Sequence, residues 1–155
     1  MTLDNANDFG GALSLSAGSA SVRDVNALDL GKVSLSGDLA LTAAGAVTDS
    51  ATLSVSGTTL ISATAQSVVL DGANHFAKAI SIYAASAKVR DTGALDLGTL
   101  SLSGTLSVSA GGTVSNSGKL SVGGSTLISA AAQSVVLDGE NTFTGALSIS
   151  AGSAS

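Results

Sequence analysis

Side chains with the means to do chemistry are few and scattered in this chain. Eleven acids are spread over 155 residues, and several recur at a fixed interval of 67, as Asp4, Asp71 and Asp138 do. Two carboxylates can cleave a glycosidic bond when they sit about 5–10 Å apart across it. Acids that return once per 67 residues are too far apart for that, and an active site is normally unique. Asp4, Asp71 and Asp138 therefore read as turn starters, and Asp29 and Asp96 as outward strand residues. His75 is the only histidine and there is no cysteine, so a zinc site lacks ligands and a serine nucleophile has one candidate base. The acids are too sparse to supply the six to eight oxygens of a calcium site. No phosphate-binding loop is present. The conspicuous charged dipeptides are Arg23-Asp24 and Arg90-Asp91. Each arginine could anchor an anionic glycan, or pair with an acid on a neighbouring segment for about 0–1 kcal/mol. No catalytic, metal-binding or cofactor-binding residue is assigned, and no cofactor is expected.

The recurrence is itself the main signal. Leu3-Asp4, Leu70-Asp71 and Leu137-Asp138 open copies spanning 3–69, 70–136 and 137–155, the last one partial. Ala27-Leu28-Asp29-Leu30-Gly31 returns as Ala94-Leu95-Asp96-Leu97-Gly98. An Asn-x-Phe motif occurs once per copy: Asn7 with Phe9, Asn74 with Phe76, Asn141 with Phe143. Gapless repetition of this kind points to a stacked architecture that supplies a surface or a length, not a single pocket. Residues 1–155 are read as one repeat domain.

Within a copy the pattern is strict alternation, as in Leu39-Ala40-Leu41-Thr42 and Leu106-Ser107-Val108-Ser109. Period two means short strands with one buried face. Ser-Gly, Ala-Gly and Asp-Gly pairs break the strands every five to eight residues or so. Spacings between similar strands run near 20–26 residues, the length of one three-stranded coil of a parallel β-helix. The expected architecture is all-β: about seven triangular coils, with three coils to each 67-residue copy. Aliphatic side chains fill the interior, and glycine takes corners that need positive φ or close approach. Proline is absent, as central strands require. The Asn of each Asn-x-Phe motif is expected to cap a longer turn and the Phe to fill a widening there. Leu97 and Val108 are expected to face inward. An antiparallel sandwich or barrel is the alternative; Asp71-Gly72 and Asp138-Gly139 resemble its hairpin turns, but Asp4-Asn5 does not.

Composition narrows the partners. The net charge of −5 disfavours nucleic acid and anionic lipid. No apolar run approaches the roughly 18 residues of a membrane-spanning helix. The first residues, Met1-Thr2-Leu3-Asp4, lack the basic and apolar regions of a signal peptide. The sequence reads as a piece of a longer repeat protein with Met1 added.

The segments Leu3-Asp4-Asn5-Ala6-Asn7-Asp8-Phe9-Gly10-Gly11-Ala12-Leu13-Ser14-Leu15, Asn26-Ala27-Leu28-Asp29-Leu30-Gly31 and Gly37-Asp38-Leu39-Ala40-Leu41-Thr42-Ala43-Ala44-Gly45 resemble the repeats of filamentous-haemagglutinin-type adhesins. Those are large secreted proteins of Gram-negative bacteria, exported by two-partner or autotransporter routes. The resemblance covers essentially the whole chain. It implies a right-handed parallel β-helix within a stalk at the outer surface. The expected role is a non-enzymatic, rigid rod that holds distal binding or toxin domains away from the cell. Two alternatives accompany it. The repeats themselves could bind host glycans or matrix proteins through many weak contacts. Or the solenoid could self-associate end to end, or present its Ser-x-Ser rows to ice. Lys119 and Asp38 interrupt those rows.

Overall fold

The computed structural model describes residues 1–155 as eighteen strands, all paired in parallel, with no helix. The chain winds as a β-solenoid of about eight turns, one more than the sequence suggests. Three faces run along it. The first holds Leu13–Ala17, then 33–35, then Leu53–Val55, then 75–76. The second holds Ala20–Asp24, Leu39–Ala43, 59–63 and 80–84. The third holds 28–30, Val47–Asp49, 67–70 and 86–89.

Alternation does what period two requires. In Leu39–Ala43, Leu39, Leu41 and Ala43 are buried while Thr42 is exposed. Thirty-six buried apolar residues form one continuous cluster along the rod. It includes Leu97 and Val108, at 0% and 1% exposure. Each buried aliphatic side chain stabilises the fold by about 1.5–3 kcal/mol. At most positions the neighbour one coil away is also aliphatic, as Leu41 is for Val22 and Ile61 for Leu41, so the apolar core continues from coil to coil. Backbone hydrogen bonds continue around the corners, as from Gly57 N–H to Gly37 C=O at 3.0 Å and from Leu28 N–H to Ala46 C=O at 2.9 Å.

The register corrects the expected coil length. On the second face Leu3 stacks on Val22, Val22 on Leu41, Leu41 on Ile61, Ile61 on Ile82 and Ile82 on Leu100. Coils on this face take 17 to 21 residues. The 26-residue step from Ile80 to Leu106 is not a coil, since Ile80 pairs with Leu97 and Leu106 with Ala87.

A copy therefore does not close on itself. Leu15 stacks on Val33 in the first face, whereas Ile82, its copy 67 residues on, stacks on Ile61 in the second. Ile82 lies on the tenth straight segment after that of Leu15, and three make a coil. One copy is three coils plus one segment, not three coils. Val22 in the second face returns as Val89 in the third, where it stacks on Leu70 and Val108. Each copy thus hands its sequence on to the adjacent face.

Glycine takes its corners for close approach and not for positive φ: a Cβ on Gly45 would run into the Ala27 backbone, and one on Gly118 into that of Gly98 and Thr99. No glycine has positive φ; that conformation belongs to Ala65 (63°), Ala131 (33°) and Ala132 (66°). Ala65 and Ala132 are repeat equivalents, so the left-handed corner is built into the copy.

Candidate functional site

The repeated polar residues do not converge on a substrate. They tie one coil to the next. Asn74 is fully buried. Its Oδ1 accepts the Leu53 N–H of the preceding coil at 2.9 Å, and its Nδ2 donates to Asp49 Oδ2 at 2.7 Å. The Asp49 carboxylate also accepts the N–H groups of Asp71 and Gly72 at 2.9 and 3.1 Å. Asn141 repeats the clasp by accepting the Leu120 N–H at 3.0 Å; Asn116, in place of an acid, donates to it at 3.1 Å. Asn7 lies in the first coil and donates instead to the carbonyls of Leu3 and Arg23, at 2.7 and 3.0 Å. Phe76 stands opposite Val55 and is 1% exposed, while Phe9 and Phe143, in the first and last coils, are half-buried.

The charged dipeptides divide their labour. Arg23 and Arg90 are exposed, and neither lies within 4.0 Å of a carboxylate. The expected arginine–acid pairs are thus not formed. The surface pair is Lys88 Nζ to Asp71 Oδ2 at 2.8 Å. The Lys88 ammonium, by hydrogen bond and charge, with a smaller contribution from Arg90, holds the Asp71 carboxyl below its ordinary range. The acids beside the arginines point inward: Asp24 and Asp91 are each 2% exposed. Asp91 accepts the Phe76 N–H at 2.7 Å and the Gly93 N–H at 2.6 Å. His75 Nδ1 lies 4.0 Å from it, with the ring more than half exposed. Asp24 Oδ1 accepts the Val25 N–H at 2.8 Å, but its Oδ2 has no partner. The sequence carried the signal for these buried acids: in Val22-Arg23-Asp24, alternation sends the third residue inward with the first.

Serine has a second role besides the outer half of strands. Ser14 Oγ accepts the Lys32 N–H at 3.1 Å, and its equivalent Ser81 accepts the Thr99 N–H at 3.0 Å. Ser19 and Ser86 do the same for Asp38 and Thr105, at 2.9 and 3.0 Å. The corner glycines make room for them. A Cβ on Gly31 would meet Ser14 Oγ, and one on Gly98 would meet Ser81 Oγ. Elsewhere Asp38 takes the serine's part by accepting the Thr58 N–H at 2.7 Å. Asp29 and Asp96, half-buried on their strands, reach Thr48 Oγ1 at 3.4 Å and the Ser117 N–H at 2.8 Å. A surface depression of about 480 Å³ beside Phe9 has one carboxylate in its lining, Asp29. No three His, Cys, Asp or Glu side chains cluster as metal ligands would.

A three-faced stack of parallel strands whose repeated Asn and Ser side chains tie coil to coil defines a repeat β-solenoid. The chain belongs to the family described as repeats of unknown function (DUF5649), which matches residues 17–83 and 84–150 as two abutting copies. Their length is the 67-residue period read from the sequence. No curated protein and no solved structure matches the chain.

Proposed function

We propose that the chain is a length of shaft in a secreted or surface-exposed bacterial adhesin-type protein, a non-catalytic rod that sets the distance between its carrier and whatever lies beyond it. The observation that carries this reading is the unbroken core of 36 apolar residues, clasped coil to coil by Asn74, Asn141 and the serine corners. Such a stack resists bending because every coil is hydrogen-bonded to the next over all three faces. At about 4.8 Å per coil, eight coils span about 38 Å.

Two measurements test it. Inserting further copies of residues 71–137 should lengthen the particle by about 16 Å per copy, read as maximum dimension in small-angle X-ray scattering. Growth that levels off would mean a bent or collapsed chain and remove the rod. The purified chain, free and clustered on beads, should not bind a glycan array or host-cell surfaces. Binding by the clustered form would make the repeats themselves adhesive. The unpaired Arg23 and Arg90 favour that second reading, with glycans or matrix proteins as partners, and mapping would begin there.

A further inference from the structure

We infer that copy number in this shaft sets direction as well as length: each added 67-residue copy turns everything beyond it by one face, about a third of a turn. The inference rests on the register alone and stands whether the shaft belongs to an adhesin or not. A residue and its copy lie on adjacent faces, as Leu15 and Ile82 do on the first and second, and Val22 and Val89 on the second and third. The chain cycles through the three faces in one order, so equivalent residues wind around the rod and regain a face after three copies. That is ten coils, or about 48 Å.

The consequence concerns partners. Arg23 projects from the second face beside Thr42, and Arg90 from the third beside Ser109. A flat partner that reads this position touches one copy in three. A partner that engages single copies, or that encircles the rod, meets all of them. The surface therefore fits small, independent ligands or an enclosing partner better than a planar array. A second consequence concerns gain and loss of copies. Because all three faces accept the same sequence, removing one whole copy leaves every stacking contact supplied by an equivalent residue, although it is not a whole number of coils.

Engineered disulfides test this directly, since the chain has no cysteine of its own. In the full chain Ser150 stacks on Ser129 in the third face. With residues 71–137 removed, Ser150 takes the place of Tyr83 and should stack on Ser62 in the second face, as Tyr83 does. The pair S62C/S150C should then cross-link under mild oxidation in the deletion variant and not in the full chain, where S129C/S150C should. A folded deletion variant that fails to form S62C/S150C, or one that does not fold, overturns the inference. The full chain gives an independent check. Y83C/S101C should close, since these residues are partners, and S81C/S107C should not, although a copy of three whole coils would bring them together. The opposite pattern would refute the hand-over without any deletion.

Discussion

Replacing Asn74 by alanine removes the acceptor of the Leu53 N–H and one donor to Asp49. Leu53 is 0% exposed, so water cannot replace the lost partner. An orphaned buried N–H costs about 1–3 kcal/mol, and loss of a hydrogen bond to a carboxylate a further 1–2 or so, giving roughly 3 kcal/mol in all. Asn7→Ala is the internal control. Its amide donates to two carbonyls in the first coil, where water can substitute, and about 0.5 kcal/mol is expected. Solenoid coils are coupled mainly to their neighbours, so a global melt can blur a local loss. Hydrogen exchange at the Leu53 amide reads the site itself. A loss of roughly 3 kcal/mol is about a hundredfold in exchange rate wherever Leu53 opens by the weakened route. Asn74→Asp keeps an acceptor for Leu53 but sets a second carboxylate against Asp49. Its ionised form is disfavoured, so its penalty should be greatest at neutral pH and recede as pH falls through the carboxylate range. The reasoning fails if Asn74→Ala costs no more than Asn7→Ala, or if Leu53 exchange is unchanged.

Leu97→Asp or Val108→Asp places a charge in a sealed column and should destabilise the rod by several kcal/mol; a wild-type thermal melt would show the inward assignment to be wrong. Thr59 and Thr126 are repeat equivalents whose buried hydroxyls have no partner; Thr59 stacks between Leu39 and Ile80, and Thr126 between Leu106 and Leu147. Thr59→Val and Thr126→Val should each raise stability by about 1 kcal/mol, and lower urea midpoints would contradict the orphan assignment. Gly98→Ala drives a methyl group into Ser81 Oγ and should destabilise by about 1–3 kcal/mol, less in a Ser81→Ala background; equal costs in both backgrounds would deny the contact. The Asp71 carboxyl is depressed in the folded state, so its stabilising interaction is present above the ordinary carboxylate range and is lost as pH falls through the lowered value. Lys88→Ala should move that titration upward in carbon-13 carboxyl spectra; an unmoved titration would separate Lys88 from the effect.

The strands, their inward residues and the period were legible because they rest on alternation and recurrence, which any window of the chain displays. Coil length was not, because leucine occurs in every segment and the eye can align Ile80 with Leu106 as readily as with Leu97. Only the hydrogen-bond register separates those pairings. The corner serines were hidden for a related reason. Ser14 and Ser19 look like the outer serines of any strand, and their bond to the next coil depends on a glycine 17 or 18 residues later. Alternation places Asp24 and Asp91 inward, while the exposed Arg23 and Arg90 beside them give each dipeptide the look of a charged surface pair. The left-handed alanines at 65 and 132 carry no sequence mark, since alanine has no special preference for that conformation.

The hand-over from face to face constrains the sequence more tightly than a closed three-coil copy would. A position that serves the second face in one copy must serve the third in the next, so no face can specialise. This explains why the outer residues stay short and mostly uncharged, and why the repeated devices are corner clasps that suit any of the three edges. Singular residues escape the rule: Tyr83 is 40% exposed where its equivalents are Ser16 and Ser150, and His75 stands where others have Asp8 and Thr142. A one-sided binding face would have to be made from such exceptions. The repeat itself evens out the faces, and a rod with like faces resists bending equally in every direction, which is what the proposed spacer role requires.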